Sequence, residues 1–157
     1  IQAALYTFQG AKRRFEYIVR SEHKTYIDDY AHHPTEIKSL LETARSLYPN
    51  QKITIIFQPH LFTRTRDFAE DFATSLSLAD QVILLDIYPA RELPIEGVDS
   101  EMLLKKVSSP VKHHTQKENI IELLNSIDID VLITAGAGDI DGLIPDIKSW
   151  MEATVLI

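Results

Sequence analysis

The sequence has no cysteine, which excludes disulfide bridges, thiolate catalysis and cysteine-ligated zinc, and favours a reducing compartment. Long apolar runs are also missing, since a stretch such as Val82–Leu85 is far shorter than the about 20 residues that span a bilayer. Positive charge is scarce: 16 lysines and arginines stand against 23 aspartates and glutamates, for a formal net charge of −7. That balance argues against a nucleic-acid partner, whose phosphates favour a basic surface.

Motifs with a defined catalytic mechanism are missing as well. The sequence has no GxxxxGK[ST] phosphate loop, no GxSxG nucleophile elbow and no HExxH metal motif. If the chain takes part in ATP chemistry, the main phosphate-binding loop must therefore lie outside it. The first residue is Ile1 rather than methionine, so we expect the chain to be a piece of a longer protein.

The sequence does contain an alternation of short β-rich runs with runs of helical period. Its 157 residues suit one domain, and 45% apolar with 25% charged residues is typical of a globular fold. The predicted strands are Phe15–Val19, Thr25–Asp29, Lys52–Gln58, Gln81–Ile87, Val111–His114 and Val131–Ala135, the first two forming a hairpin.

Helices are predicted between these strands. The clearest begins at Pro34 and carries an apolar stripe that ends at Leu47. A second has Thr63 or Thr65 as its cap and Phe68 on its stripe. The remaining helices run from Asp99 or Ser100 to Val107, over Asn119–Ile127, and through Ile147, Trp150 and Met151, with Pro145 at the start or at a kink. The pattern predicts a single α/β domain of doubly wound type, with a mostly parallel sheet and helices on both faces.

Polar residues cluster where the predicted strands end. The stretches are Asp28–Thr35, Gln58–His60 with Arg64 and Arg66 beyond it, Tyr88–Glu92 and Gly136–Asp139. Ligands of open parallel sheets bind beyond the carboxyl ends of the strands. We therefore expect a binding crevice at this edge.

The side chains at this edge suit an anionic ligand such as a nucleotide. Arg64 and Arg66 offer guanidinium groups to a carboxylate or phosphate, and a helix beginning near Thr63 would add the partial positive charge of its N-terminus. Asp29 is placed to accept hydrogen bonds from a ribose. The histidines that can donate, accept or titrate here are His32, His33 and His60.

Several of these residues also have a structural explanation. One histidine of His32–His33 can cap the following helix, and the histidines lack the ligand spacing of a zinc site. Arg64 and Arg66 are two residues apart, so at most one reaches the crevice. The Gly136–Asp139 loop either exposes amides to a phosphate or is a tight turn. We assign no role to His113–His114.

Four segments in register point to one family. They are DDYAHHPTEI (28–37), IIFQPHLFTRTRDFAEDF (55–72), LLDIYPARE (84–92) and ITAGAGDI (133–140). Together they resemble the C-terminal domain of the Mur ligases of peptidoglycan synthesis, and within that family the branch that joins L-alanine to UDP-N-acetylmuramate. The segment Ala3–Ile18 resembles the junction with the central domain.

This resemblance implies a Rossmann-like third domain, residues 1–157, of a three-domain cytoplasmic ligase, with residues 1–13 as the junction from the central ATPase domain. The missing first domain would hold UDP-N-acetylmuramate, and the missing central domain would hold the phosphate loop and Mg²⁺. ATP would phosphorylate the muramyl carboxylate to an acyl phosphate, which the amine of L-alanine then attacks. Closure of the third domain over the central one would complete the site.

The resemblance also implies roles for single residues. Asp29 matches a position that contacts the ATP ribose, and Tyr30 and His32 match positions lining the amino-acid and acyl-phosphate region. His60 and Arg64 match positions that hold the alanine carboxylate. No catalytic residue and no metal ligand is expected in this fragment.

The sequence differs from the family pattern at one position, and two alternative functions remain open. Some relatives carry an arginine where this chain has Leu61, so more of the carboxylate binding would fall to Arg64. The first alternative is the recycling ligase that joins an intact peptide to UDP-N-acetylmuramate, which shares the segment after Asp28 but resembles this chain less around His60. The second is a non-enzymatic α/β module that binds an anionic metabolite.

Overall fold

The computed structural model describes residues 12–155. The strands are β1 (Glu16–Arg20), β2 (Thr25–Asp29), β3 (Ile53–Phe57), β4 (Gln81–Leu84), β5 (Val111–His114) and β6 (Val131–Ala135). The α-helices are α1 (Pro34–Leu47), α2 (Phe62–Asp67), α3 (Ala69–Leu76), α4 (Ser100–Lys106), α5 (Ile120–Ser126) and α6 (Ile144–Val155). Short 3₁₀ helices, Lys117–Asn119 and Ile140–Leu143, precede α5 and α6. None of the helices described is long and apolar enough to cross a membrane.

The six strands form one sheet in the order β1-β2-β6-β3-β4-β5. Within residues 12–155, only β1 runs antiparallel to its neighbour. It forms the predicted hairpin with β2 through a turn in which the Ser21 amide donates to the Lys24 carbonyl at 2.9 Å. All other pairings are parallel. The predicted mostly parallel, Rossmann-like α/β fold is confirmed, and the carboxyl ends of β2, β6, β3 and β4 lie side by side.

Both faces of the sheet are buried, because alternate residues of each parallel strand point to opposite helix layers. On β3, Ile55 and Phe57 pack in the core that includes Phe72 of α3, whereas Ile56 packs in the second core with Met151 of α6. The first core joins the sheet to α1, α3 and α4, and the second joins it to α5 and α6. Packing of helices on both faces of the sheet fixes the positions of the loops at its edge.

The prediction for the helix after β3 is wrong in two respects. Phe68 breaks the predicted single helix into α2 and α3, and it is 37% exposed instead of lying on the buried stripe. Its ring instead contacts His33 at a centroid distance of 5.0 Å. Neither predicted threonine caps the helix, because α2 already begins at Phe62 and Thr65 donates its hydroxyl back to the Leu61 carbonyl at 2.8 Å.

Other boundaries differ by smaller amounts. Strand β4 ends at Leu84 rather than Ile87, because the next carbonyl, that of Leu85, accepts from the Ser100 hydroxyl at 2.6 Å. The α1 stripe is buried only as far as Ala44, and Leu47 is 54% exposed. Pro145 lies in the first turn of α6, as one of its two predicted placements required.

Candidate functional site

The site lies where the connections after β2, β3, β4 and β6 meet at the carboxyl edge of the sheet. Four aromatic rings form a continuous row across this edge, and three of them belong to predicted site residues. Tyr30 and His32 are 5.2 Å apart between ring centroids, His32 and His60 are 6.2 Å apart, and His60 stacks on Tyr88 at 5.6 Å. Tyr30 is 48% exposed, so the row opens to solvent at that end.

Arg64 lies beside this row. Its Nη1 is 3.5 Å from Nδ1 of His60, one helical turn earlier in the chain. Because a guanidinium can only donate, Nδ1 of His60 faces it as an acceptor, and the imidazole is then free to donate from Nε2. Arg66 does not join them, since its Nε is engaged with the Asp67 carboxylate at 2.7 Å on the exposed side of the helix. The prediction that at most one of the two arginines reaches the crevice is confirmed.

The charge state of His60 follows from its surroundings. Burial lowers its pKa, and the nearby charges of Arg64 and His32 lower it further, while the Glu92 carboxylate opposes them. With its pKa below the ordinary value of 6.5, the imidazole is neutral at pH 7. The site therefore offers one fixed cation and one neutral hydrogen-bond donor, an arrangement that suits a carboxylate.

The N-terminus of α2 already has a carboxylate of this chain bound at Thr63. The Thr63 amide donates to Oε2 of Glu92 at 3.0 Å, and the Thr63 hydroxyl donates to Oε1 at 2.5 Å. These bonds lower the pKa of Glu92, so the carboxylate is charged at neutral pH. A side chain from the connection after β4 thus already occupies the amide that was expected to attract an external anion.

Asp29 borders a groove of about 540 Å³ between the residues that precede β1 and helix α1, and Tyr30 at the open end of the aromatic row lines the same groove. Its Oδ2 accepts from the Phe15 amide at 2.7 Å and its Oδ1 from the Ala31 amide at 2.8 Å. Each oxygen of a carboxylate can accept a second bond. The side chain is thus fixed by the backbone and can still receive the hydroxyls of a ligand in the groove.

His33 has a structural role. It is the N-cap of α1, where its Nδ1 accepts from the Thr35 amide at 3.4 Å and its own amide donates to Glu36 at 3.0 Å. Of the two adjacent histidines, His32 is the one that joins the aromatic row. The sequence left open which of them caps the helix, and the structure assigns the cap to His33.

The Gly136–Asp139 loop is a tight turn whose glycines allow close packing. A Cβ added at Gly138 would overlap Oε1 of Gln58 and lie 2.7 Å from the Tyr88 side chain. Asp139 accepts from Nε2 of Gln58 at 2.8 Å and from Lys117 at 2.5 Å. These contacts explain the loop without a phosphate, which favours the structural one of its two predicted roles.

Sequence reasoning missed Arg13. Its Nε donates to the fully buried carboxylate of Asp28 at 2.9 Å, its Nη2 donates to the Gly136 carbonyl at 2.7 Å, and its guanidinium lies 5.1 Å from the Tyr30 ring centroid. The Thr134 hydroxyl donates to the other oxygen of Asp28 at 2.7 Å. An acidic residue inside a buried strand was the available signal, because a buried carboxylate requires a partner.

Two further observations concern metals and the remaining histidines. Within residues 12–155, no group of three or more histidine, aspartate or glutamate side chains is arranged to hold a metal ion. His114 pairs with Asp86 at 2.8 Å on the far side of β4, away from the aromatic row. The structure thus gives His114 a contact with a surface carboxylate.

Comparison with known proteins adds independent information. A family model described as "Mur ligase, glutamate ligase domain" matches residues 13–138. The UDP-N-acetylmuramate–L-alanine ligase of Cytophaga hutchinsonii is 53% identical over 152 residues, covering 97% of this chain and 33% of the relative. The same ligase of Christiangramia forsetii is 54% identical over 145 residues, covering 92% of this chain and 32% of the relative. The chain thus spans about a third of the length of these curated relatives.

Solved structures of similar ligases have the same fold over most of this chain. The UDP-N-acetylmuramate-alanine ligase of Thermotoga maritima superposes with a TM-score of 0.73 at 30% identity, covering 97% of this chain and 33% of that one. A murein peptide ligase from Psychrobacter arcticus superposes with a TM-score of 0.71 at 24% identity, covering 94% of this chain and 32% of that one. The second similarity concerns the fold alone, so the two superpositions do not separate the two activities.

Proposed function

Because the chain belongs to the family of Mur ligase glutamate ligase domains, we propose that it is the C-terminal domain of an ATP-dependent ligase that joins L-alanine to UDP-N-acetylmuramate. The observation that carries the proposal is the placement of Arg64 beside a neutral His60 at the carboxyl edge of the sheet. The identity of 53% to an L-alanine-adding ligase over 97% of the chain favours this branch over the peptide-recycling ligase.

In this function Arg64 binds the carboxylate of L-alanine through its guanidinium, and His60 donates a second hydrogen bond from Nε2. Tyr30 and His32 line the adjacent space on the β2 side, where the acyl phosphate and the amine meet. Leu61 supplies no charge, so the carboxylate depends on one guanidinium instead of the two that some relatives offer. We assign the catalytic residues to the domains outside this chain, and the residues of this chain bind and orient the substrates.

ATP would contact this domain at Asp29. The carboxylate fits a ribose, because the amides of Phe15 and Ala31 hold it in place and both oxygens keep an acceptor site toward the 540 Å³ groove. ATP supplies the phosphoryl group that activates the muramyl carboxylate. The chain has no GxxxxGK[ST] loop, so we assign the phosphates and Mg²⁺ to the central domain.

The domain arrangement follows from the same proposal. Residues 1–157 form the third domain, and residues 1–13 form the junction from the central ATPase domain. Residues 1–11 of this junction lie outside the described part of the chain. Closure over the central domain would bring the row of rings against the acyl phosphate and exclude water. The complete enzyme would act in the cytoplasm.

The test is an assay of phosphate release from ATP by the full-length protein with UDP-N-acetylmuramate. L-alanine, glycine, L-serine and a tripeptide are compared as acceptors. We expect the strongest release with L-alanine. Release only with the tripeptide would assign the protein to the recycling ligases, and no release with any acceptor would favour a non-enzymatic anion-binding module.

The residue-level test is Arg64→Ala in the same full-length protein. Loss of a charged hydrogen bond costs about 1.5–3 kcal/mol, which corresponds to an increase of about 10- to 150-fold in the KM for L-alanine. Arg66→Ala is the matched control, because that side chain is paired with Asp67 at the surface. An unchanged KM in Arg64→Ala would contradict the assignment of the carboxylate site.

A further inference from the structure

The contact between Glu92 and Thr63 links two connections that are distant in sequence. Both oxygens of the Glu92 carboxylate accept from Thr63, one from the amide at 3.0 Å and one from the hydroxyl at 2.5 Å. Thr63 directly precedes Arg64 in the first turn of α2. A residue of the connection after β4 therefore fixes the turn that carries the anion-binding guanidinium.

Tyr88 makes a second link between the same connections. Its amide donates to the Pro59 carbonyl at 2.8 Å, and its carbonyl accepts from the Leu61 amide at 3.0 Å. Its ring stacks on His60 with only 18° between the ring planes. The bonds flank His60 on both sides in the chain, so the imidazole is held by backbone pairing and by ring contact together.

The backbone between these links is strained. Leu61 has a φ of 72° and Ala90 a φ of 52°, a region that side chains other than glycine rarely adopt. Such a conformation persists only where surrounding contacts enforce it. Tyr88 accepts from the Leu61 amide and Glu92 accepts from Thr63, so the connection after β4 supports the connection after β3 at both residues.

We propose that Glu92, assisted by Tyr88, is a positioning residue that holds Arg64 and His60 in the orientation needed to bind the carboxylate of the amino-acid substrate. Glu92 acts through Thr63 and does not contact the substrate. By occupying the Thr63 amide it also leaves the guanidinium of Arg64 as the group that receives the carboxylate. This inference rests on the proposed function.

The test is Glu92→Gln in the full-length protein, assayed by phosphate release. We expect the KM for L-alanine to rise about tenfold, because the amide holds the first turn of α2 less well, with kcat and the KM for ATP within about twofold. Glu96→Gln is the matched control, an exposed glutamate of the same connection, and should leave all three constants unchanged. Thr63→Val should raise the KM for L-alanine, and Thr63→Ser should restore it by returning the hydroxyl.

A pH profile separates positioning from simple structural support. His60 faces Arg64, His32, Glu92 and the Tyr88 ring, and among these only the Glu92 carboxylate raises its pKa. Removing that charge lowers the pKa of His60, so the inflection that titration of His60 gives to the pH profile of 1/KM for L-alanine should move to lower pH in Glu92→Gln. A general loss of fold would leave the position of this inflection unchanged.

The outcomes are distinct from those of the main proposal. If the wild-type protein shows no L-alanine-dependent release, the proposed function fails. If the wild type is active and Glu92→Gln matches it in KM and pH profile, the positioning role is wrong. A rise in every KM together with a lower Tm would also overturn it, since it would show general destabilisation.

Discussion

The two ends of the sheet contain similar residues in different arrangements. At the amino end, Arg45 pairs with Asp80 at 2.6 Å and Lys52 with Asp128 at 2.8 Å, and these side chains are all more than a third exposed. At the carboxyl end, Arg13 pairs with Asp28 at 2.9 Å, and the aspartate is fully buried. Charge pairing is common to both ends, and burial is what distinguishes the Arg13–Asp28 pair, since Lys117–Asp139 at the carboxyl end is at least a third exposed.

Backbone strain also differs between the two ends of the sheet. Among residues 12–155, the non-glycine residues with left-handed φ are Arg13, Phe15, Leu61 and Ala90. Leu61 follows β3 and Ala90 follows β4. Arg13 and Phe15 precede β1, and the start of β1 pairs with the carboxyl end of β2. Strain therefore accumulates where the candidate site lies, as expected of a region shaped for binding rather than for stability alone.

The largest expected effect comes from breaking each arginine–aspartate pair in turn. Arg13→Met should lower the free energy of unfolding by about 3 kcal/mol, because the buried Asp28 carboxylate then keeps, among residues 12–155, only the Thr134 hydroxyl as a partner. Arg45→Met should cost less than about 1 kcal/mol, because its pair is exposed and Asp80 keeps the Ile53 amide. Urea unfolding of the 157-residue chain measures both, and equal losses would contradict the comparison.

The second prediction concerns the crowded loop after β6. Gly138→Ala should destabilise the chain by about 2 kcal/mol, because the new methyl group would overlap Gln58 and Tyr88. Gly142→Ala, four residues along, has nothing within 4 Å of its added Cβ and should change stability by less than about 0.5 kcal/mol. Thermal unfolding of the two variants side by side checks this, and similar melting temperatures would show that the loop can yield.

The sequence predicted what depends on local pattern. All six strands were placed, and the clearest were the short apolar runs of β3, β4 and β6. The sheet edge that gathers Tyr30, His32, His60 and Arg64 followed from the parallel order. The roles of these residues toward L-alanine, and that of Asp29 toward ATP, stay predictions.

What sequence reasoning missed depends on contacts between distant residues. Glu92 and Thr63 are 29 positions apart, and Arg13 and Gly136 are 123 apart, so no periodicity connects them. The break at Phe68 has the same origin, because its ring contacts His33 of another connection. A histidine cap for α1 could be predicted from the sequence, because the partners of His33 are only two and three residues away in the chain.

The smallest expected effect is the pH dependence of the two aspartates. Burial raises the pKa of Asp28 above its ordinary value of 3.8, although Thr134 and Arg13 oppose it. Burial also acts to raise the pKa of Asp80, but there the bonds from Arg45 and the Ile53 amide outweigh it and leave the pKa lowered. The two groups should therefore affect stability with opposite signs and in different pH windows.

The signs follow from proton linkage. Native Asp28 binds its proton more tightly than the unfolded chain does, so its contribution is full below pH 3.8 and falls as pH rises through the folded pKa. Native Asp80 binds its proton less tightly, so its contribution is full above pH 3.8 and falls as pH drops through the folded pKa. Relative to wild type, Asp28→Asn should thus gain stability as the pH rises from about 4 to 7, and Asp80→Asn should gain as it falls from about 4 to 3. Urea unfolding across this range measures both slopes, and slopes of the same sign would show that burial does not separate the two pairs.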